Sequence, residues 1–159
     1  VSPKGVQRSR QPDPELRLDP ALVAALASAG QRLTRHRAAV IVSLQQAGRP
    51  LDVDEVQVAA DVPTSSAYRI LTELCAAGVV ARIHGADRSD RFEMAEAFSE
   101  RHHHHHLICT VCGSVADVDA MAATERAIAV ELAEVAARHG FQPTSHVFDI
   151  IGRCAACSA

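Results

Sequence analysis

The chain has 159 residues, room for one domain or two small ones, and 48% of them are hydrophobic, with no Trp and one Tyr, so the expected core is aliphatic. Net charge is −3; residues 1–97 carry 12 basic and 12 acidic side chains and residues 98–159 carry 4 and 7, so no basic domain advertises nucleic acid by charge alone. No apolar run approaches a membrane span, and the Arg-containing start lacks the apolar stretch of a secretory signal, so the expected location is cytoplasmic.

Residues 1–18, rich in Arg, Ser, Pro and Gln, read as a flexible tail, with Arg8, Arg10 and Arg17 able to touch phosphates. Asp19-Pro20 reads as a helix cap followed by Pro in the first turn, with Leu22, Val23 and Leu26 inward and Gly30 as terminator. Thr34 caps a second helix (Ala38, Ile41 and Leu44 inward, Gly48 ending it), and Asp52 with Glu55 makes a capping box for a third. Asp61-Val62-Pro63 breaks that helix. Thr64 is expected to cap a fourth that buries Ile70, Leu71 and Leu74 and ends at Gly78. Two short helices across a tight turn predict a helix-turn-helix. The alternating segments Val79–Ile83 and Arg91–Met94 add a hairpin, which makes residues 19–94 a winged helix.

After a hinge at 95–101 the pattern changes. His102–Cys109 and Ser114–Val118 read as strands around a Cys-x-x-Cys turn. Met121–His139, with Ile128, Leu132 and Val135 on one face, reads as a helix, and Ser145–Ile151 as a strand on which His146, Phe148 and Ile150 point inward. The expected fold class is α+β: an N-terminal winged helix-turn-helix domain and, over 102–159, a small α/β dimerisation domain.

Four of five cysteines form two Cys-x-x-Cys pairs, Cys109/Cys112 and Cys154/Cys157. The two-residue gap lets both thiolates of a pair reach one ion, Gly113 tolerates the tight turn that follows, and four thiolates suit a closed tetrahedral zinc site that stabilises the fold. Cys75, mid-helix, reads as a buried core thiol. On an extended strand, His102, His104 and His106 face one way and His103 and His105 the other, so one strand can serve two separate metal sites. Imidazole suits Zn, Ni, Cu and Fe(II). His36 reads as a DNA-facing polar residue, His84 as a wing surface residue, and His139 as a cation at a helix C-terminus. A zinc enzyme would need an open coordination position and a general base, and neither His-x-Glu nor His-Glu-x-x-His occurs. A metal store or chaperone would not need the helix-turn-helix. The expectation is a non-enzyme.

The segment His102-His-His-His-His-Leu-Ile-Cys109-x-x-Cys112-Gly113 resembles the signature of the ferric uptake regulator (Fur) family. So do Gly30-x-Arg32-x-Thr34-x-x-Arg37, Ala67-Tyr68-Arg69-Ile70-Leu71, Arg138-His139-Gly140, Ser145-His146 and the terminal Cys-x-x-Cys; the resemblance covers about residues 20–159. The resemblance implies a metal-responsive repressor of metal-uptake genes that binds palindromic double-stranded operator DNA as a homodimer. It places structural zinc on Cys109, Cys112, Cys154 and Cys157, and a regulatory ion at the hinge on Glu93, His104 and His106. A second site within the dimerisation domain falls to His103, His105, His146 and Glu125, with Glu131 as the alternative acid. DNA contacts fall to Tyr68 and Arg69, with Thr64, Ser65 and Ser66 near the bases and Arg32 and Arg37 on phosphates.

Three departures from the family pattern stand out. Asp61-Val62-Pro63 shortens the helix-turn-helix. Arg49-Pro50-Leu51 stands where iron- and manganese-sensing members carry a His. Ser99 stands where zinc-sensing members often carry a Cys. The fourth hinge ligand is therefore open among His84, Asp87, Asp90 and Glu96. Zn2+ is the favoured regulatory ion, with Fe2+, Mn2+ or Ni2+ as alternatives, and a peroxide sensor of the same family is the nearest rival.

Overall fold

The computed structural model describes residues 18–85, 89–99, 104–119, 122–144 and 146–158. Four helices open the chain: α1 (Pro20–Ser28), α2 (Arg35–Ala47), α3 (Val53–Ala60) and α4 (Thr64–Ala76). The hairpin β1 (Val80–His84) and β2 (Asp90–Met94) follows, then a 3-10 turn at Glu96–Phe98. The remainder holds β3 (His104–Cys109), β4 (Val115–Asp119), α5 (Ala122–His139), β5 (Asp149–Gly152) and a closing 3-10 turn at Ala155–Cys157.

Local chemistry explains the helix starts. Asp19 accepts from Ala21 N–H, Thr34 from Arg37 N–H, and Asp52 and Glu55 exchange both bonds of a capping box. The expected Thr64 cap is corrected: Pro63 takes the N-cap position, its carbonyl accepting from Ser66 and Ala67, and the Thr64 hydroxyl bonds Gln57 across the turn. Proline has no N–H to leave unsatisfied, so the helix can begin on its carbonyl. Asp61 ends α3 with φ 52°, a left-handed conformation in which Asp is among the better tolerated non-glycine residues.

The helices and the hairpin share one core. Leu22, Leu26, Ile41, Val56, Leu71, Leu74 and Phe92 are each essentially inaccessible, and Leu51 bridges Phe92 through two backbone hydrogen bonds of 2.7 and 2.9 Å. Cys75 lies at the edge of this cluster, half-buried rather than enclosed, and burial pushes its thiol up. Buried residues of that cluster run from Leu18 to Met94.

The second sheet has the order β4-β3-β5, with β3 antiparallel to β4 and parallel to β5, so β5 is an edge strand. It is shorter than the segment expected over 145–151: Ser145 lies outside the described residues, and residues 146–148 precede the strand. Phe148 and Ile150 remain about half exposed instead of pointing into a core. Arg91 of β2 reaches across to this part of the molecule, donating to the Gly113 carbonyl at 3.2 Å, while its other terminal nitrogen donates to Ser89 Oγ of its own hairpin at 2.5 Å. No described helix is long and apolar enough to cross a membrane.

Candidate metal centres and DNA-facing helix

The β3–β4 turn carries the first Cys pair. Gly113 has φ 69°, the conformation that lets the chain reverse immediately after Cys112. The turn after β5 brings Cys154 and Cys157 to the same point, and the four sulfurs lie within 4.8 Å of one another, Cys112 and Cys154 at 3.8 Å. A tetrahedral zinc–thiolate site has sulfur–sulfur edges of about 3.8 Å. Backbone N–H groups of Cys112, Cys154 and Val111 pull the Cys109 thiol down to about 6, whereas Cys157, facing the sulfurs of Cys154, Cys112 and Cys109, is pushed up to about 12. The cluster is primed to form thiolate but resists holding four negative charges together, which is the electrostatic situation a divalent cation relieves.

On one face of β3, His104 and His106 stack edge to face at 5.1 Å and meet Glu93 of the wing strand. His104 Nε2 lies 3.3 Å from Glu93 Oε2, and His106 Nε2 lies 3.2 Å from Glu93 Oε1. Antiparallel pairing puts Asp117 of β4 directly opposite His106, and its carboxylate completes a four-residue group whose donor atoms lie within 4.8 Å. The fourth position, left open among His84, Asp87, Asp90 and Glu96, is occupied in this group by Asp117, which the sequence reading did not name. Among the described candidates, His84 and Asp90 pair with each other at 2.8 Å on the wing, and Glu96 stays on its 3-10 turn; Asp87 lies outside the described residues.

These side chains are at most 14% exposed for Glu93, His104 and His106. Burial favours a neutral Glu93, but His106 and His104 outweigh it and hold the carboxyl below its usual range. Burial likewise opposes a charged His106, and the Glu93 and Asp149 carboxylates overcome it and raise its pKa. His106 Nε2 is buried and has no hydrogen-bond partner among the described residues; Glu93 is near enough to attract it but out of line for a hydrogen bond. Two imidazoles and two carboxylates fit a divalent transition metal. A cleft of about 320 Å³, lined in part by Arg49, Met94, Phe98 and Ser99, gives this group access to solvent.

The opposite face of β3 carries His105. Its Nε2 lies 2.6 Å from Glu125 Oε1, and His146 Nε2 lies 3.3 Å from Glu125 Oε2. Phe148 packs edge-on against His105 at 5.4 Å. Glu125, in the first turn of α5, therefore occupies this group and Glu131 does not; His103 lies outside the described residues.

Along α4, Thr64, Ser65 and Arg69 are exposed, Ser66 is partly so, and Tyr68 is 55% exposed, while Ala67, Ile70, Leu71 and Leu74 are buried. One helix face thus anchors in the core and the other is presented outward. Arg32, just before α2, is exposed as well. Arg37, expected on phosphates, is instead 8% exposed, and its guanidinium donates to the Arg32 carbonyl and to Glu73, so that it is held inside the fold.

The arrangement has known counterparts. The family described as the ferric uptake regulator family matches residues 28–151. A zinc uptake regulation protein of Mycobacterium tuberculosis is 31% identical over 137 residues, covering 83% of this chain and 98% of its own length. The ferric uptake regulation protein of Escherichia coli K12 is 30% identical over 139 residues, covering 82% and 86%. The crystal structure of the Vibrio cholerae ferric uptake regulator aligns over 83% of this chain and 98% of its own, with 28% identity and a TM-score of 0.64. With the family model spanning most of the chain and relatives matched nearly end to end, the protein belongs to the ferric uptake regulator family.

Proposed function

We propose that the protein is a metal-responsive repressor of metal-uptake genes, with zinc as the favoured regulatory ion, acting on palindromic operator DNA as a homodimer. One observation carries the reading: Glu93, on a strand of the winged helix, faces His104 and His106, on a strand beyond the 95–101 hinge, at 3.3 and 3.2 Å. When bound there, an ion supplies positive charge that joins two parts of the chain. The geometry it selects sets both recognition helices for successive major grooves, and its influence extends only as far as its differential affinity for that geometry. Tyr68, Thr64, Ser65 and Ser66 then meet base edges and Arg32 and Arg69 the phosphates. Cys109, Cys112, Cys154 and Cys157 hold the structural zinc, and His105, Glu125 and His146, with His103, form the second site. The edge of β5, with the exposed Ile150 and Ile151 on it and Val147 just before it, gives a second copy its docking surface.

The all-nitrogen-and-oxygen donor set at the hinge supports a second reading within the same family. Carboxylates from Glu93 and Asp117 suit Fe2+ or Mn2+ as well as Zn2+. Fluorescence anisotropy on the DNA upstream of the protein's own gene tests both. Protein stripped with a chelator mild enough to spare the four cysteines is titrated separately with Zn2+, Ni2+, Mn2+ and anaerobic Fe2+. Restoration of binding by one ion, lost in Glu93→Ala, is expected. Metal-dependent binding that survives Glu93→Ala unchanged overturns the hinge assignment.

A further inference from the structure

The edge strand β5 contributes nothing to the donor set at the hinge, yet it touches that centre. Parallel pairing places Asp149 beside His106, and Asp149 Oδ1 lies 3.1 Å from His106 Nδ1. Asp149 is the single acid in an otherwise apolar stretch from Val147 to Ile151, and its side chain is only 25% exposed. An acid on an edge strand ordinarily serves by facing water. This one turns inward to the ring nitrogen that the hinge centre does not use.

We propose that Asp149 is a positioning residue for the hinge metal centre: by accepting the Nδ1 proton of His106 it fixes the tautomer whose Nε2 lone pair faces Glu93, His104 and Asp117. The proposal rests on the reading of those residues as a metal centre. A neutral imidazole carries one proton, and where it sits is decided by the partner of the other nitrogen. A carboxylate on Nδ1 demands the proton there, because two lone pairs would otherwise repel. Nε2 is then left as an acceptor in a buried position where, among the described residues, it has no hydrogen-bond partner. Without Asp149 the proton is free to move to Nε2, where the Glu93 carboxylate 3.2 Å away attracts it and a metal is excluded. Carboxylate–histidine pairs around metals act in this way, and their loss typically costs about ten- to a hundredfold in metal affinity.

The test uses the full chain with its four-cysteine zinc retained, and Co2+ as the probe of the hinge centre. Cobalt binding is followed by its ligand-field absorption, and the His106 tautomer by long-range nitrogen–proton correlations in the metal-free protein at mildly alkaline pH. Asp149→Ala is expected to weaken cobalt binding about ten- to a hundredfold and to move the proton to Nε2. Asp149→Asn keeps an acceptor oxygen and is expected to preserve the tautomer and to lose less affinity. Zinc content and circular dichroism matching the unmodified protein exclude unfolding as the cause. Asp149→Ala with undiminished cobalt affinity and an unchanged tautomer overturns the proposal while leaving the hinge centre standing, provided His106→Ala abolishes the signal. A His106→Ala protein that binds cobalt as before overturns the reading of the centre itself, and the proposal with it.

Discussion

Glu73 holds two arginines at once. It pairs with the buried Arg37 of α2 and, at 3.1 Å, with the exposed Arg69 one turn earlier on α4, and its backbone carbonyl accepts from Gln31 at 2.6 Å. Arg37 is the stronger partner, and the hydrogen bond from its guanidinium holds the Glu73 carboxyl below the usual range. A depressed folded-state pKa stabilises the fold above the unfolded value, and that contribution disappears as pH falls through the folded value. Glu73→Gln is therefore expected to cost about 1–2 kcal/mol at neutral pH, with the difference from the unmodified protein shrinking toward zero in acid. Thermal melts of both proteins across the acidic range check this; a gap that widens in acid contradicts it. The Arg37 role was hard to read from sequence because its partner lies 36 positions away, on a helix whose packing against α2 no local pattern encodes. Asp117 was hidden for a related reason. Its place opposite His106 follows from the register of the β3–β4 hairpin, and that register depends on how tightly the Cys-x-x-Cys-Gly turn closes.

At the scale of elements, the link from β2 to the β3–β4 turn stands outside both histidine groups. Arg91 bonds the carbonyl of Gly113, the residue next to Cys112, so the wing is braced against the cysteine knuckle as well as through Glu93. Arg91→Ala is expected to weaken metal-dependent DNA binding several-fold, in keeping with the loss of a charged hydrogen bond of about 1.5–3 kcal/mol partly replaced by water. Bound zinc should stay at the level of the unmodified protein. Anisotropy and metal analysis together decide; zinc loss in the variant would make Arg91 a support of the knuckle instead. Elements themselves were largely legible where short-range chemistry sets them. Asp19, Thr34 and the Asp52–Glu55 box mark three helix starts, and the glycines after α2 and α4 mark two ends. Legibility fell where tertiary context decides. A strand expected over 145–151 is described only from Asp149, where its pairing with His106 of β3 begins.

The whole molecule shows a contrast between its two parts. Residues up to Met94 bury a continuous aliphatic core, but among the described residues after it only Ile108, Cys109 and Ala136 are buried apolar side chains. A three-stranded sheet and one helix with so little interior need another source of stability, and a four-thiolate zinc site and a second copy can each provide it. The apolar side chains left outside include Val130, Phe141, Val147, Phe148, Ile150 and Ile151, several of them on or beside β5, an edge strand among the described residues. Removing zinc with a strong chelator is expected to unfold this part first while α1 to β2 keep their helical signal, as circular dichroism would register. Ile151 is 65% exposed in the single chain, and a symmetric interface would bury one from each copy. Ile151→Asp removes two such burials, about 3 kcal/mol in total, and is expected to raise the dimer dissociation constant at least a hundredfold. Sedimentation at micromolar concentration should then find monomers that retain zinc and have lost operator affinity, because a single recognition helix cannot engage both half-sites. A variant that sediments as a dimer places the interface elsewhere, and monomers that bind the operator as tightly as before would show that one copy suffices.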